Sequence, residues 1–229
     1  MKKTVLFLLI FSALSNLCAQ KDLDMSLSFS PQHLLFVHGF KFDLEVGAKE
    51  KLKHRFVISP NFQLGKINKT DKATVLLYED VKNQFYYEGP DVLKGFGLGL
   101  HYKMYIDEGV LDDSTHHVYL SIGSAFLNSR INFSSFRLEE TVVDGMLYSQ
   151  LVAHKEKDNY TIYSLQTVIG DRILYKKMVL DLYFGIGYKA VKKTSTSMRS
   201  RNYNRNVFDY GFSGIHPVLG FKVGFKISK

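Results

Sequence analysis

Apolar and polar residues alternate one by one along most of this chain, the period of strands whose two faces meet different surroundings. Over Leu23–Pro31 the apolar set is Leu23, Met25, Leu27 and Phe29, against Asp24, Ser26, Ser28 and Ser30. Over Phe36–Gly47 it is Phe40, Phe42, Leu44 and Val46, and over Arg55–Lys66 it is Phe56, Ile58, Phe62 and Leu64. Gly95–Ile106, His117–Asn128, Met178–Ala190 and Ile215–Ser228 repeat the pattern. In Tyr160–Ile173 the residues Tyr163, Leu165 and Ile169 share a face, but Asp171 falls on it too. These segments predict eight strands, each near the roughly 9–11 residues that a tilted membrane strand needs.

The connections alternate as well. Gly47–His54, Asp107–His116 and Leu174–Lys177 are short, while Ile67–Lys94, Ser129–Asn159 and Val191–Gly214 are long. Gln32–Leu35 is then a short outer loop. An antiparallel up-and-down barrel with short periplasmic turns and long extracellular loops produces this order. Ser129–Asn159 opens with INFSSFRLEE just after Arg130, a run that can continue the fifth strand above a bilayer. Pro31 and Pro217 fit strand ends, and Pro60 predicts a bulge because a barrel has no edge to tolerate it.

Met1–Gln20 carries Lys2 and Lys3, an apolar run over Val5–Leu14 and a small-residue cut site after Ala19. That is a secretory signal over residues 1–19, leaving a barrel over 20–229. Leu17 and Ser15 do not make a lipobox for Cys18. With a single cysteine in the chain, a disulfide framework and a cysteine zinc cluster are excluded. No later run is apolar enough for a membrane helix. The formal net charge is +8, to which the two leader lysines contribute.

A soluble lipocalin-like binder alternates too, with its apolar face turned inward. Here the polar face is rich in glycine and carries both signs, namely Lys41, Asp43, Glu45, Arg55, Lys103, Asp181, Lys189, Lys222 and Lys226. Mixed signs suit a narrow interior of paired charges. The other face is almost purely Phe, Leu, Ile, Val, Met and Tyr, as lipid contact demands. The expectation is therefore an all-β, eight-stranded transmembrane barrel in the outer membrane of a Gram-negative bacterium, with a packed lumen. A small pore is the alternative if that lumen is open.

The final strand, FKVGFKISK, places Lys222, Gly224 and Ile227 at the spacing of the closing strand that the barrel-assembly machinery reads, though Lys229 replaces the usual aromatic end. With the leader and the eight strands, it resembles the small OmpA/OmpX-type outer-membrane barrels. GFKFDLEVGAKEKLKHRF and MVLDLYFGIGYKAV resemble barrels of unassigned function from Bacteroidota. The resemblance implies a monomeric barrel and names no activity. It carries no sign of a peptidoglycan-binding domain.

Candidate chemistry is sparse. His116 and His117 fall in a predicted turn and would point to opposite faces, a poor metal pair, and His101 would make a lumen hydrogen bond. No catalytic, cofactor or metal residue is assigned. Ser213 and His216, with Asp209 nearby, allow a lipid A-modifying enzyme as an alternative, but the His-x-Ser pattern of the deacylases is missing. The basic segment with Lys192, Lys193, Arg199, Arg201 and Arg205 is the candidate binding surface for the phosphates of lipopolysaccharide. Ile67–Lys94, with VLLYEDV and QFYYEGP, is the candidate for a partner protein. Nucleic acid is not an expected partner for an exported barrel.

Overall fold

The computed structural model describes residues 23–32, 39–48, 53–67, 85–111, 114–195, 207 and 209–227. The predicted leader over 1–19, with Cys18, lies outside them. Eight strands, β1 (Leu23–Phe29), β2 (Gly39–Ala48), β3 (His54–Ile67), β4 (Phe85–Leu111), β5 (Ser114–Val143), β6 (Met146–Tyr175), β7 (Met178–Ser195) and β8 (Gly214–Lys226), pair antiparallel in chain order. β8 returns to β1 through four residue pairs, Ser26–Lys226 to Phe29–Val223, and closes the barrel.

Closure decides which face is inside. On β7, Met178, Leu180, Leu182, Phe184, Ile186 and Tyr188 point outward and are exposed, whereas Val179, Asp181 and Tyr183 are buried. That outward run covers about 25 Å of membrane normal at roughly 3.3 Å per residue and a tilt near 45°. Phe40, Phe56, Leu98, Ile122, Leu165 and Phe221 extend the same apolar belt around the barrel. An apolar exterior around a polar interior is the arrangement of a transmembrane barrel, and it excludes the lipocalin alternative. Met25 keeps the face of Leu27 in the register, opposite Val46, but is covered.

The lumen is narrow enough that rings need room across the ladder. His101 lies opposite Gly123, Tyr119 opposite Gly170, Tyr183 opposite Gly220 and His216 opposite Gly187. A Cβ on Gly123 would overlap the His101 ring, and one on Gly170 would sit 2.5 Å from the Tyr119 hydroxyl. Glycine on the polar face is thus the space into which an inward ring folds.

Several boundaries differ from the sequence expectation. The predicted loop over 129–159 is strand throughout, broken by the turn at Asp144 and Gly145, both with positive φ (51° and 77°). Asp-Gly is the sequence of a two-residue hairpin turn. The loop over 67–94 shrinks because β4 begins at Phe85, so VLLYEDV falls outside the described residues. The predicted turn over 107–116 is mostly strand, β4 running to Leu111 and β5 starting at Ser114. β7 runs to Ser195, so Lys192 and Lys193 are on a strand rather than in a loop.

Pro60 makes no bulge. The register stays continuous from Ser59–Gly99 through Pro60–Leu98 to Asn61–Gly97, and only the ladder to β2 is interrupted, between Lys41–Asn61 and Leu44–Ile58. A missing N–H costs one ladder bond, and the strand keeps its register on the other side. The irregularities lie on β4, between Glu88 and Val92 around Pro90, and between Tyr105 and Asp107. Pro217 sits inside β8 opposite Ile186 rather than at the strand end. The β1 ladder reaches only Val223, so Pro217 faces no described ladder on that side.

Candidate functional site

Three regions carry chemistry: the lumen, its upper end, and the outer rim. In the lower lumen Glu45 is the hub. It accepts from Lys103 Nζ at 3.0 Å, from the Tyr105 hydroxyl at 2.8 Å and from the Arg172 guanidinium, with Arg55 Nε at 3.6 Å. Lys103 also bonds Asp181 at 2.6 Å, and Asp181 accepts from the Tyr119 hydroxyl at 2.5 Å. Arg55 donates to Asp24 at 2.6 Å, and Lys226 reaches Asp24 at 3.2 Å. Lys222 pairs with Asp43 at 2.6 Å and lies 4.8 Å from the Tyr183 ring. Every one of these groups except Lys226 is buried.

Buried charges persist only when paired and hydrogen-bonded. This network ion-pairs its charges with side chains drawn from all eight strands, while Asp43 Oδ1, Arg55 Nε and Arg172 Nε stay buried without a hydrogen-bond partner. It also fills the barrel. Between Lys41, His101, Lys103, Gln166 and Lys222 the free volume is about 10 Å³, room for one water. Below it, a vestibule of about 160 Å³ lies between Asp24, Arg55, His117, Arg172 and Lys226.

Of the nine lumen charges expected from sequence, Lys189 stands apart, its Nζ reaching the Val207 carbonyl at 3.4 Å instead of a network carboxylate. Lys41 is half-buried beside the small cavity. Two members were missed, Asp24 and Arg172. Asp24 was visible on the polar face of β1. Arg172 was hidden because Asp171 broke the apolar pattern of its strand; in fact Asp171 points outward, toward His116 Nδ1 at 3.1 Å, and Arg172 points in. His101 bonds Gln166 at 3.3 Å, and His117 turns inward against Tyr105 while His116 turns outward.

Above the belt the two faces exchange character. Leu93, Ile131, Phe133, Tyr160 and Ile162 are buried inside, with Val191 and Tyr210 packed against them. On the outside at this level Lys94, Asn128, Arg130 and Lys157 are exposed. Asp158 is buried among these groups, accepting from Ser195 Oγ at 2.5 Å and facing Lys193 Nζ at 3.2 Å. Burial first, then the neighbouring Asp158, holds the Tyr160 hydroxyl above its ordinary pKa, and burial does the same to Tyr210. Lys193 is therefore spent on an internal ion pair. Lys192 remains exposed, and Arg199, Arg201 and Arg205 lie outside the described residues.

The outer rim carries a cation cluster that sequence reasoning missed. Lys94 on β4 lies directly opposite Arg130 on β5, and Lys66 on β3, opposite Val92, is diagonal to Lys94, two pairs beyond Leu64–Lys94. All three are exposed. Arg130 Nε bonds Asn159 at 3.0 Å, and among the described residues no carboxylate pairs with any of the three. Like charges directly opposite on a ladder repel. The signal in sequence was the sudden placement of a cation on the apolar face, after Leu64, after Phe96 in reverse order, and after Phe126.

The catalytic alternative finds no constellation among the described residues. Ser213 Oγ accepts from the Val191 backbone N–H at 3.0 Å, and the His216 ring lies over Gly187. Asp209 acts on Lys189 and Tyr160, so the three groups serve different neighbours.

Neither a protein-family profile nor a curated protein sequence matches the chain. Two solved structures are similar in fold. One is a major outer membrane protein from Thermus thermophilus, 13% identical with a TM-score of 0.44, the match covering 89% of this chain and 98% of that one. The other is CarO of Acinetobacter baumannii, 13% identical with a TM-score of 0.40, covering 90% of this chain and 98% of that one. Both likenesses are too distant to bear on function, which has to be read from the geometry of this barrel.

Proposed function

We propose that the protein is a closed, non-enzymatic barrel of the Gram-negative outer membrane whose outer rim binds lipopolysaccharide phosphates. It is a monomer of the small OmpA/OmpX type, similar to barrels from Bacteroidota, delivered by the leader and inserted by the barrel-assembly machinery. The carrying observation is the Lys66–Lys94–Arg130 cluster, outward-facing, exposed and set just past the last apolar residues of three adjacent strands. That is the level at which anionic headgroups meet the barrel. A phosphate bridging Lys94 and Arg130 removes their mutual repulsion and gains charge-assisted hydrogen bonds. Lys192 adds a fourth cation on β7. A lumen packed with ion pairs leaves no transport path in this reading, and the chemistry needs no cofactor.

The test is binding of purified lipopolysaccharide to wild type and to Lys66→Ser/Lys94→Ser/Arg130→Ser. Wild type should bind more tightly, and the difference should shrink at high salt. Equal binding overturns the reading. Planar-bilayer recording separates it from the pore alternative, because stable single-channel steps would require an open lumen.

A second reading, a partner protein, has one observation of its own. The β5–β6 hairpin ends in Val142, Val143, Met146, Leu147 and Tyr148, all exposed. Replacing residues 138–151 by a short Asp-Gly turn removes that tip. Lipopolysaccharide binding should survive this change, and a partner contact should not.

A further inference from the structure

Lys155, Glu156, Lys157 and Asp158 cancel one another along the sequence. The strand period of β6 sorts them by sign. Glu156 and Asp158 are buried on the inward face, opposite Phe133 and Ile131, while Lys155 and Lys157 are exposed on the outward face. From the pair Arg130–Asn159 to the pair Ser134–Lys155, the outward positions of β5 and β6 are Arg130, Asn132, Ser134, Lys155, Lys157 and Asn159, without a carboxylate. A stretch of zero net charge thus gives the collar a positive outer wall. On the row of Lys155, the acidic position Glu88 is two strands away, on β4.

The two lysines continue the rim cluster. Lys157 is opposite Asn132, two residues beyond Arg130, so it is the diagonal neighbour of Arg130, and Lys155 follows two residues further along β6. Diagonal neighbours on a ladder are roughly 7–8 Å apart, within reach of long side chains. The string Lys66, Lys94, Arg130, Lys157 and Lys155 therefore crosses from β3 to β6 and then climbs β6. At roughly 3.3 Å per residue and a tilt near 45°, Lys157 stands about 5 Å and Lys155 about 9 Å above Arg130. Like charges along the string repel, so it favours a ligand with several anions that rises from the membrane along the outside of the wall. An acidic protein approaching from outside would first meet Glu139, Glu140 and Asp144, exposed near the hairpin tip and of its own sign. A lipid of the same leaflet arrives from the side.

We infer that Lys155 and Lys157 bind carboxylate-bearing sugars of the inner core of lipopolysaccharide. The inference rests on the rim reading above, because these sugars extend outward from the lipid whose phosphates meet Lys66, Lys94 and Arg130. Each carboxylate accepts a charge-assisted hydrogen bond from a lysine ammonium. Lysine carries a compact charge on a flexible stem, so the wall can follow sugars that turn about their linkages.

The experiment compares binding of lipid A with binding of lipid A that bears two carboxylate sugars and no further phosphate. Heat-modifiability on a gel verifies folding of every variant. Wild type should bind the sugar-bearing form about tenfold more tightly, the scale of one charged hydrogen bond, and the preference should shrink at high salt. Lys155→Ser/Lys157→Ser should bring the two forms to parity at the lipid A level, and Lys155→Arg/Lys157→Arg should keep the preference. Lys66→Ser/Lys94→Ser/Arg130→Ser should weaken both forms alike. Wild type that does not distinguish the two forms overturns the proposal and leaves the rim reading in place. So does a preference that survives in Lys155→Ser/Lys157→Ser. Poly-glutamate held through Lys155 and Lys157, with the sugars making no difference, overturns it in favour of an acidic protein. Failure of the rim reading is seen separately, in the lipid A arm alone, as equal binding by wild type and Lys66→Ser/Lys94→Ser/Arg130→Ser.

Discussion

The lipid-embedded half of the barrel and the collar above it are built from the same strands with opposite rules. On β5, Ile122 and Phe126 face out and Ser121 faces in; a few residues on, Arg130 faces out and Ile131 faces in. On β6 the change runs from Tyr163 outside to Tyr160 inside. The backbone period never breaks, since the β5–β6 register is continuous from Ser114–Tyr175 to Val143–Met146. What changes is the outside medium. In lipid the exterior must be apolar, so polar groups go inward and satisfy one another. In water the exterior is polar, and the interior becomes an ordinary apolar core. The lower lumen thus joins an ion-pair network to a cluster of Tyr105, Tyr119, Val168 and Tyr183, and the upper one packs an apolar cluster around the buried carboxylate of Asp158.

The sharpest way to break that difference is to remove the lower hub. Glu45→Ala leaves Lys103, Arg172 and Arg55 facing one another in a buried space. It should cost about 3–5 kcal/mol, read as a lower urea midpoint for the folded form. The matching change in the collar is Ile131→Ala, which leaves a cavity beside Leu93 and Phe133 and should cost about 3 kcal/mol. A smaller effect of Glu45→Ala than of Ile131→Ala would mean that water already reaches the lower network.

Arginine scanning along one face locates the boundary. Leu182→Arg, within the belt, should cost about 2–4 kcal/mol. Asn128→Arg, beyond Phe126 on the outside of β5, should stay within about 0.5 kcal/mol. If both are tolerated equally, the belt is not in lipid. Gly170→Val forces the Tyr119 ring away from its cross-strand seat and should cost about 1–3 kcal/mol, visible as a shift in heat-modifiability temperature. At the far end of the scale, Val143→Ser at the hairpin tip should leave stability unchanged within about 0.5 kcal/mol, because neither face of the tip packs on the barrel.

Eight strands, and the division of Phe40, Leu98 and Leu182 from Lys103, Asp181 and Lys222 between two unlike faces, follow from the alternation alone, because a strand with unlike faces needs unlike surroundings. So does the presence of both charge signs on one face. Where the alternation inverts, the sequence loses its hold: residues 129–159 carry a strand period whose apolar face has changed sides, and they read as a loop. Pro60 misled for a related reason, since one missing N–H is a local loss that two long neighbouring ladders absorb. Alternation also names faces without saying which is inside. Only closure of β8 on β1 turned the charged face inward and brought Asp24, Glu45, Lys103, Arg172 and Asp181 together from five strands. Only pairing across β3, β4 and β5 put Lys66, Lys94 and Arg130 side by side. A period along one strand carries no information about the register of its neighbours, and these groups meet through that register.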